Sequence, residues 1–513
     1  MQTFSGSGLP APWGSNNSHT GIVSTSYDAE FTTVTDQAGK TRRSKVDGLG
    51  RLIRVDEPDS SGNLGTTGAP TQPTSYVYDV AGNLKTVTQG VQTRTFVYSS
   101  LSRLASATNP ESGTISYLYD NNGNLTKKTD PRGYIDYSYD ALNRITTRTY
   151  SDGTPTVTYT YDAPGVSYSK GRLTSMSSSA STTNYTTYDP LGRITANSQV
   201  TDGQVYSIAH RYNRAGNLVS ITYPSGRIVT TEYDLAGRMA GVQHQQSGTY
   251  YAGGAATDAS NRMQYAAHGG SSVMKLGNGL WEHTNFNTRL QPTEIGLGTS
   301  STSSGTLGLT YDYGTTNNNG NVLSVSYAGG GLSYTQTFGY DTLNRLTASH
   351  EGSAWSQTNS YDRYGNRSIV GSALSFSAIN NRITNAGYVY DAAGNLTNDG
   401  VHSYGFDGED KIKSVDGVGD VFRYDGDGNR VRKNFVSGEK VRMVYSAGQL
   451  IAEYDLSNGA LLKEYVYGGK GLIATVEPSA GTKYATVDHL GTLRVVTDSA
   501  GAVVTRHDYK PFG

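Results

Sequence analysis

Tyr137-Ser138-Tyr139-Asp140-Ala141-Leu142-Asn143-Arg144-Ile145-Thr146-Thr147 reads as two short strands joined by a turn. Before the turn, Ile135, Tyr137 and Tyr139 alternate with Asp136 and Ser138, the period of two of a strand with one wetter and one drier face. After it, Arg144-Ile145-Thr146-Thr147-Arg148 resumes β-favouring residues. The central pattern, Tyr-Asp-x-x-Gly/Asn-Asn/Arg-Leu/Ile, recurs down most of the chain. Repetition therefore takes precedence over any single stretch.

Copies on the N-terminal side are Tyr78-Asp79 with Gly82-Asn83-Leu84, Tyr119-Asp120 with Gly123-Asn124-Leu125, and Tyr139-Asp140 with Asn143-Arg144-Ile145. They continue as Tyr188-Asp189 with Gly192-Arg193-Ile194, Tyr212-Asn213 with Gly216-Asn217-Leu218, and Tyr233-Asp234 with Gly237-Arg238-Met239. Beyond a weaker stretch come Tyr340-Asp341 with Asn344-Arg345-Leu346, Tyr361-Asp362 with Gly365-Asn366-Arg367, Tyr390-Asp391 with Gly394-Asn395-Leu396, and Tyr424-Asp425 with Gly428-Asn429-Arg430. Intact neighbours lie roughly 20 to 25 residues apart, a spacing at which repeat architectures are the default reading. No amphipathic helix is evident, so the fold class is all-β.

Each place in the motif has a physical reason. Asp at the turn entry accepts backbone N–H bonds from residues two or three further on. Gly or Asn at the fifth place supplies the positive φ that such a turn needs. Leu or Ile after the turn anchors the returning strand, and Tyr buries a large ring while its hydroxyl stays bonded or wet.

Composition agrees with ordered, thin-walled structure. The 513 residues include Tyr 39 and Gly 63 but only 35% hydrophobic residues, against about 45–50% in ordinary globular domains. The aromatic content is too high for disorder. Lys+Arg 42 against Asp+Glu 43 leaves no field to attract nucleic acid or an anionic membrane. Cys 0 excludes disulfides and thiolate metal sites. No apolar run approaches the ~20 residues of a membrane span, and Met1-Gln2-Thr3-Phe4-Ser5-Gly6-Ser7-Gly8 has no secretory signature.

The expected organisation is an irregular N-terminal lead-in at 1–40, a repeat array at 41–435 with a degenerate, loop-rich part at 241–309, and last hairpins with a distinct closing segment at 436–513. That closing segment, Tyr484-Ala485-Thr486-Val487-Asp488-His489-Leu490-Gly491-Thr492-Leu493-Arg494, ends in Tyr509-Lys510-Pro511-Phe512-Gly513. With the repeats, it resembles the YD-repeat, or Rhs, family and the opening of the Rhs repeat-associated core. The signature residues are Asp488, His489, Gly491, Arg494, Pro511, Phe512 and Gly513. The resemblance implies hairpins wound in a spiral into a hollow β-shell, as in the C component of insecticidal toxin complexes and in teneurins. In polymorphic toxins of the family the shell encloses a C-terminal toxin, and these proteins are secreted or on the bacterial cell surface. Family members continue past Pro-Phe-Gly into self-cleaving aspartates and a toxin. Neither maps onto this chain, which reads as a fragment of a longer product, and no catalytic residue is carried over.

The residues offer little chemistry that would overturn this. His19, His210, His244, His268, His283, His350, His402, His489 and His507 form no H-x-H or H-E-x-x-H pattern. Asp488-His489 reads as turn capping and shell closure ahead of catalysis. Asp425-Gly426-Asp427-Gly428-Asn429 imitates an EF-hand loop, but Arg430 and Val436 occupy its glycine and glutamate places. Gly468-Gly469-Lys470-Gly471 is a turn signal. No cofactor, metal or catalytic residue is therefore expected. The implied partner is an enclosed polypeptide, the chain's own C-terminal extension; the alternative is an adhesion module for a cell-surface glycan or protein built on the same shell.

Overall fold

A computed structural model of the protein describes residues 2–4, 19–372, 374–419, 421–469 and 471–512. Among these residues there is no α-helix, and none is long and apolar enough to cross a membrane as one. The chain forms two compact units, the first of residues 1–117, 285–295 and 307–396, the second of 118–284, 296–306 and 397–513.

In the first unit an antiparallel meander runs from Ser24–Asp28 through Phe31–Thr35, Thr41–Val46, Leu52–Glu57 and Gln72–Tyr78 to Gly113–Tyr119. A second meander runs from Leu307–Asp312 through Ser324–Gly329, Leu332–Tyr340, Leu346–Glu351 and Trp355–Tyr361 to Arg367–Ile369. The first has almost no core. Between residues 21 and 117, Ala107 and Pro58 are the only buried apolar side chains, so its stability rests on the hydrogen-bonded ladder and on half-buried rings.

The second unit holds a longer meander, from Leu125–Asp130 to Tyr250–Gly253, and a 9-stranded sheet from Phe422–Tyr424 to Val503–Arg506. Here the expectation of thin walls fails locally. Val441, Arg442, Met443 and Val444 are consecutive and all buried, so this strand is covered on both faces because the 182–212 strands lie against it. The Gln199 amide donates to the Met443 carbonyl at 2.8 Å and accepts from the Tyr445 N–H at 3.0 Å.

One irregularity recurs at the motif tyrosine. Ser138 pairs with Thr147 but Tyr139 pairs with Ile145, leaving Thr146 as an extra residue on the returning strand. The same β-bulge falls between Val77 and Tyr78, Glu232 and Tyr233, Gly339 and Tyr340, Arg423 and Tyr424, and Val466 and Tyr467. A bulge bends the strand and adds right-handed twist. Each of these units therefore contributes a bend at the same place, whereas Tyr361 pairs with Arg367 in regular register.

Three expectations about organisation are corrected. Within the supposed lead-in at 1–40, His19–Ile22, Ser24–Asp28 and Phe31–Thr35 are strands, formed because Thr, Val, Tyr and Phe there outweigh the Gly and Ser; residues 5–18 lie outside the described ones. The divisions at 40 and 435 fall inside continuous pairing, since Phe31–Thr35 pairs with Thr41–Val46, and Arg430–Asn434 with Lys440–Ser446. The stretch 241–309, expected to be loop-rich, carries strands at Tyr250–Gly253, Ser271–Lys275, Trp281–Phe286 and Pro292–Gly298. Its Val242, Ala252, Leu276 and Leu297 are at most 1% exposed. There the motif has given way to packing.

Candidate functional site

The most repeated arrangement in the molecule is the turn that closes each hairpin. Asp140 Oδ1 accepts from the Leu142 N–H at 2.9 Å and the Arg144 N–H at 3.0 Å, and the Asn143 N–H closes the turn on the Asp140 carbonyl at 3.0 Å. The donors are thus two and four residues on, where two or three were expected. The extra reach follows from Asn143, whose φ of 60° folds the chain back under the carboxylate. Asp79 is arranged alike, with Ala81 and Asn83 N–H at 2.9 and 2.8 Å and Gly82 at φ 87°.

The sixth place of the motif does work that the sequence reading left unassigned. Arg144 Nε donates to Asp140 Oδ2 at 2.7 Å. Arg193, Arg238 and Arg345 do the same to Asp189, Asp234 and Asp341. Where the place is Asn, its Nδ2 takes over, as from Asn124 to Asp120, Asn395 to Asp391 and Asn429 to Asp425. The backbone N–H of Arg144 is the main cause holding the Asp140 carboxyl below its ordinary range, with the guanidinium adding to it. At Asp79 the Asn83 amide is the largest cause of the same shift.

Turns are then tied to their neighbours. The Tyr139 hydroxyl donates to the carbonyl of Leu125, the post-turn residue of the preceding unit, at 2.9 Å. Tyr78 reaches Leu52 at 2.9 Å, Tyr233 reaches Leu218 at 2.9 Å, Tyr340 reaches Val322 at 2.8 Å and Tyr424 reaches Ile412 at 2.8 Å. Tyr188 does likewise to Leu173. In the other direction the motif arginine lies over the next unit's ring: Arg144 is 4.3 Å from the centroid of Tyr161, Arg193 4.7 Å from Tyr212, Arg238 4.9 Å from Tyr265 and Arg345 4.6 Å from Tyr361. Tyr390 instead accepts from the Ile383 N–H at 3.0 Å. Tyr119 ends its strand at the turn that Asp120 enters. Gly82, Gly123, Gly192, Gly237, Gly394 and Gly428 all have positive φ at the fifth place.

Tyr139→Phe is expected to cost about 0.5–1.5 kcal/mol, the net worth of one such bond, measured as a shift of the urea midpoint. Tyr27→Phe, whose residue is 78% exposed, should leave the midpoint where it is.

The closing motif repeats the same device. Asp488 Oδ1 accepts from Leu490 and Thr492 N–H, both at 2.9 Å, and Arg494 Nε donates to Oδ2 at 2.9 Å. Gly491 has φ 82°, and Arg494 lies 5.3 Å from the Tyr509 ring. Asp488 therefore serves a turn, and burial pushes the His489 imidazole below its ordinary pKa. Pro511 is half-buried and Phe512 is 60% exposed; Gly513 lies outside the described residues. Asp425 to Asn429 closes the hairpin between Phe422–Tyr424 and Arg430–Asn434, and Gly468 pairs with Gly471 across a turn. Among the described residues no group of three or more His, Asp or Glu is placed to hold a metal ion.

Hairpins cross-tied at their turns define a repeat protein whose motif residues belong to the wall itself. Comparison agrees. The chain matches the model of the teneurin YD-shell over residues 278–513 and that of the RHS repeat over residues 119–155 and 212–249. Its fold is similar to the Tc holotoxin pore of Photorhabdus luminescens, with a TM-score of 0.77 and 15% identity over 96% of this chain and 29% of that one. It is equally similar to TcdB2–TccC3 without its hypervariable C-terminal region, with a TM-score of 0.76 and 15% identity over 98% of this chain and 30% of that one. The tRNA3(Ser)-specific nuclease WapA of Bacillus spizizenii is 28% identical over 193 residues, 34% of this chain and 8% of that protein. The tRNA nuclease WapA of Bacillus subtilis matches to the same extent. The chain thus spans under a tenth of the curated relatives it matches. Its likeness to the YD-repeat, or Rhs, family holds in both sequence and fold.

Proposed function

We propose that the chain is a wall segment of an encapsulating β-shell that sequesters a polypeptide cargo, in the family's pattern a C-terminal toxin. The observation that carries this reading is a slowly varying offset between runs of hairpins. Within the first unit, hydrogen bonds between residues 36–111 and residues 342–382 join positions 271 to 308 apart. Within the second unit the offset falls from 278 at Arg132 and Asp410 to 236 at His210 and Ser446 and 219 at Asn278 and Thr497. Contacts at a nearly fixed sequence distance are what successive turns of a coil make when laid side by side. The recurring bulge supplies the bend, and the scarcity of buried apolar residues between 21 and 117 is what a sheet with nothing of its own packed behind it requires.

Small-angle scattering and protease protection test this together. The pair-distance distribution should have the displaced maximum of a particle with a low-density interior, and a reporter polypeptide fused to the C-terminus should outlast the free reporter under proteinase K. A solid-particle distribution, or a fused reporter digested as fast as the free one, refutes the reading.

A further inference from the structure

A cavity of about 400 Å³ opens within the second unit between the 183–239 strands and the 425–468 segment, within the range of about 300–1,000 Å³ usual for ligand pockets. Its walls carry the rings of Tyr185, Tyr212, Tyr445 and Tyr467 among aliphatic side chains. The charges in its lining are all of one sign: Asp425 and Asp427 are present, and no lysine or arginine is.

Asp425, like Asp79, Asp120 and Asp391, is a motif aspartate whose sixth-place partner is an asparagine and not an arginine. Asp140, Asp189, Asp234 and Asp341 each pair with the arginine at the sixth place. For Asp425 that place is Asn429, whose amide at 3.0 Å satisfies a lone pair and leaves the charge. Asp427 gives its N–H to Asp425 Oδ1 at 3.0 Å, and its own carboxylate has no hydrogen-bond or ion-pair partner among the described residues.

A second observation is independent of the acid pair. Asn197, 8% exposed, lines the same cavity, and its Oδ1 is buried with no partner. His210, 9% exposed, also lines it; its Nε2 is 2.9 Å from Ser446 Oγ, while its Nδ1 is buried and unpartnered. Asn197 shares a strand face with Gln199, whose amide reaches Met443, so this face is the one turned toward the 440–446 strand. Buried polar atoms are nearly always paired, and an orphan calls for an explanation such as a bound group. Asn197 Oδ1 is an acceptor, and His210 Nδ1 is one in the tautomer whose Nε2–H donates to Ser446.

Acceptors, carboxylates with no basic partner and tyrosine faces around a space of this size make a complement for one chemistry. An anion would meet two like charges, and an apolar guest would leave the acceptors unpaired. A cation on an apolar stem satisfies the acceptors, offsets the charge and stacks on the rings. We propose that this cavity is a binding site for an organic cation, an alkylammonium or guanidinium group, carried on a basic side chain of a polypeptide or on a free polyamine. The site stands whether or not the shell encloses cargo.

The test is calorimetric titration of the full chain with acetyl-lysine methylamide, with spermidine, and with the Nε-acetylated, neutral lysine derivative. Saturable binding of a cationic probe is expected, with the neutral derivative at least about tenfold weaker, the loss typical of one charge contact. Asp427→Asn and Tyr185→Leu should each lower affinity severalfold. Asp427 has no partner to lose, and unchanged circular dichroism and thermal melting will show that its variant is folded. Binding of the lysine probe alone assigns a polypeptide source, and binding of spermidine alone assigns a free amine. Equal binding of the neutral derivative, an Asp427→Asn variant of undiminished affinity, or no saturable binding of either cation overturns the proposal.

Discussion

Arg227→Ala should destabilise the second unit by about 3–5 kcal/mol, the range for breaking a buried ion pair from one side. Glu464 is 0% exposed, and its Oε2 accepts from Arg227 Nε at 2.6 Å while the Ser225 hydroxyl donates to Oε1. Arg227 also donates to the Tyr251 hydroxyl at 3.0 Å, and the neighbouring Tyr223 hydroxyl donates to the Tyr465 carbonyl at 2.8 Å. Removing the guanidinium leaves a carboxylate with neither water nor a counter-charge. The double replacement Arg227→Met with Glu464→Leu removes both charges and should cost much less, because apolar pairs of similar volume often replace buried ion pairs at little loss. Urea unfolding of the three proteins decides it. A single variant within about 1 kcal/mol of the parent would show that the pair contributes as little as an exposed one.

The second large effect is expected at Asp488, which is 7% exposed. Asp488→Ala removes the acceptor of two turn N–H groups and the partner of Arg494, and should cost about 2–4 kcal/mol, since hydrogen bonds to charged groups are worth about 1.5–3 kcal/mol each. Asp488→Asn keeps Oδ1 as acceptor and should lose roughly half as much. The loss should concentrate in the hairpin of Gly481–Val487 and Leu493–Thr497, where amide hydrogen exchange will report it. A variant of full stability that has lost some reaction would return Asp488 to the catalytic reading weighed from its neighbour His489.

What could be read from the chain and what could not divide along sequence distance. The hairpin, its turn aspartate and the positive φ at Asn143 or Gly82 are encoded within about ten residues, and the alternation and turn rules act at that range. The donors at the second and fourth places lay just outside the expectation because Asx-turn reasoning stops at the third residue. The bond from Tyr139 to Leu125 and the seat of Arg144 over Tyr161 join one unit to the next, and Leu125 contributes only a carbonyl, which every residue has. Arg227 and Glu464 are 237 residues apart, with no motif at either. The second-unit cavity is of the same kind: Asn197, His210 and Asp427 become neighbours only because one run of hairpins is laid beside another. The lead-in failed for a different reason, since Gly and Ser counts outweighed the Thr-rich strand Phe31–Thr35.

The bulge that recurs before Tyr78, Tyr139, Tyr233, Tyr340 and Tyr424 also governs how the wall bears damage. Curvature delivered in equal instalments has no hinge: with Thr146, Ala240, Thr347 and Ile473 each serving as the odd residue of its own hairpin, an error at one leaves the others intact. A mutation that straightens one hairpin is then a local flat spot. A fold that tolerates a flat spot can drift in sequence at almost any unit, and a likeness over 96% of this chain at 15% identity is compatible with such drift.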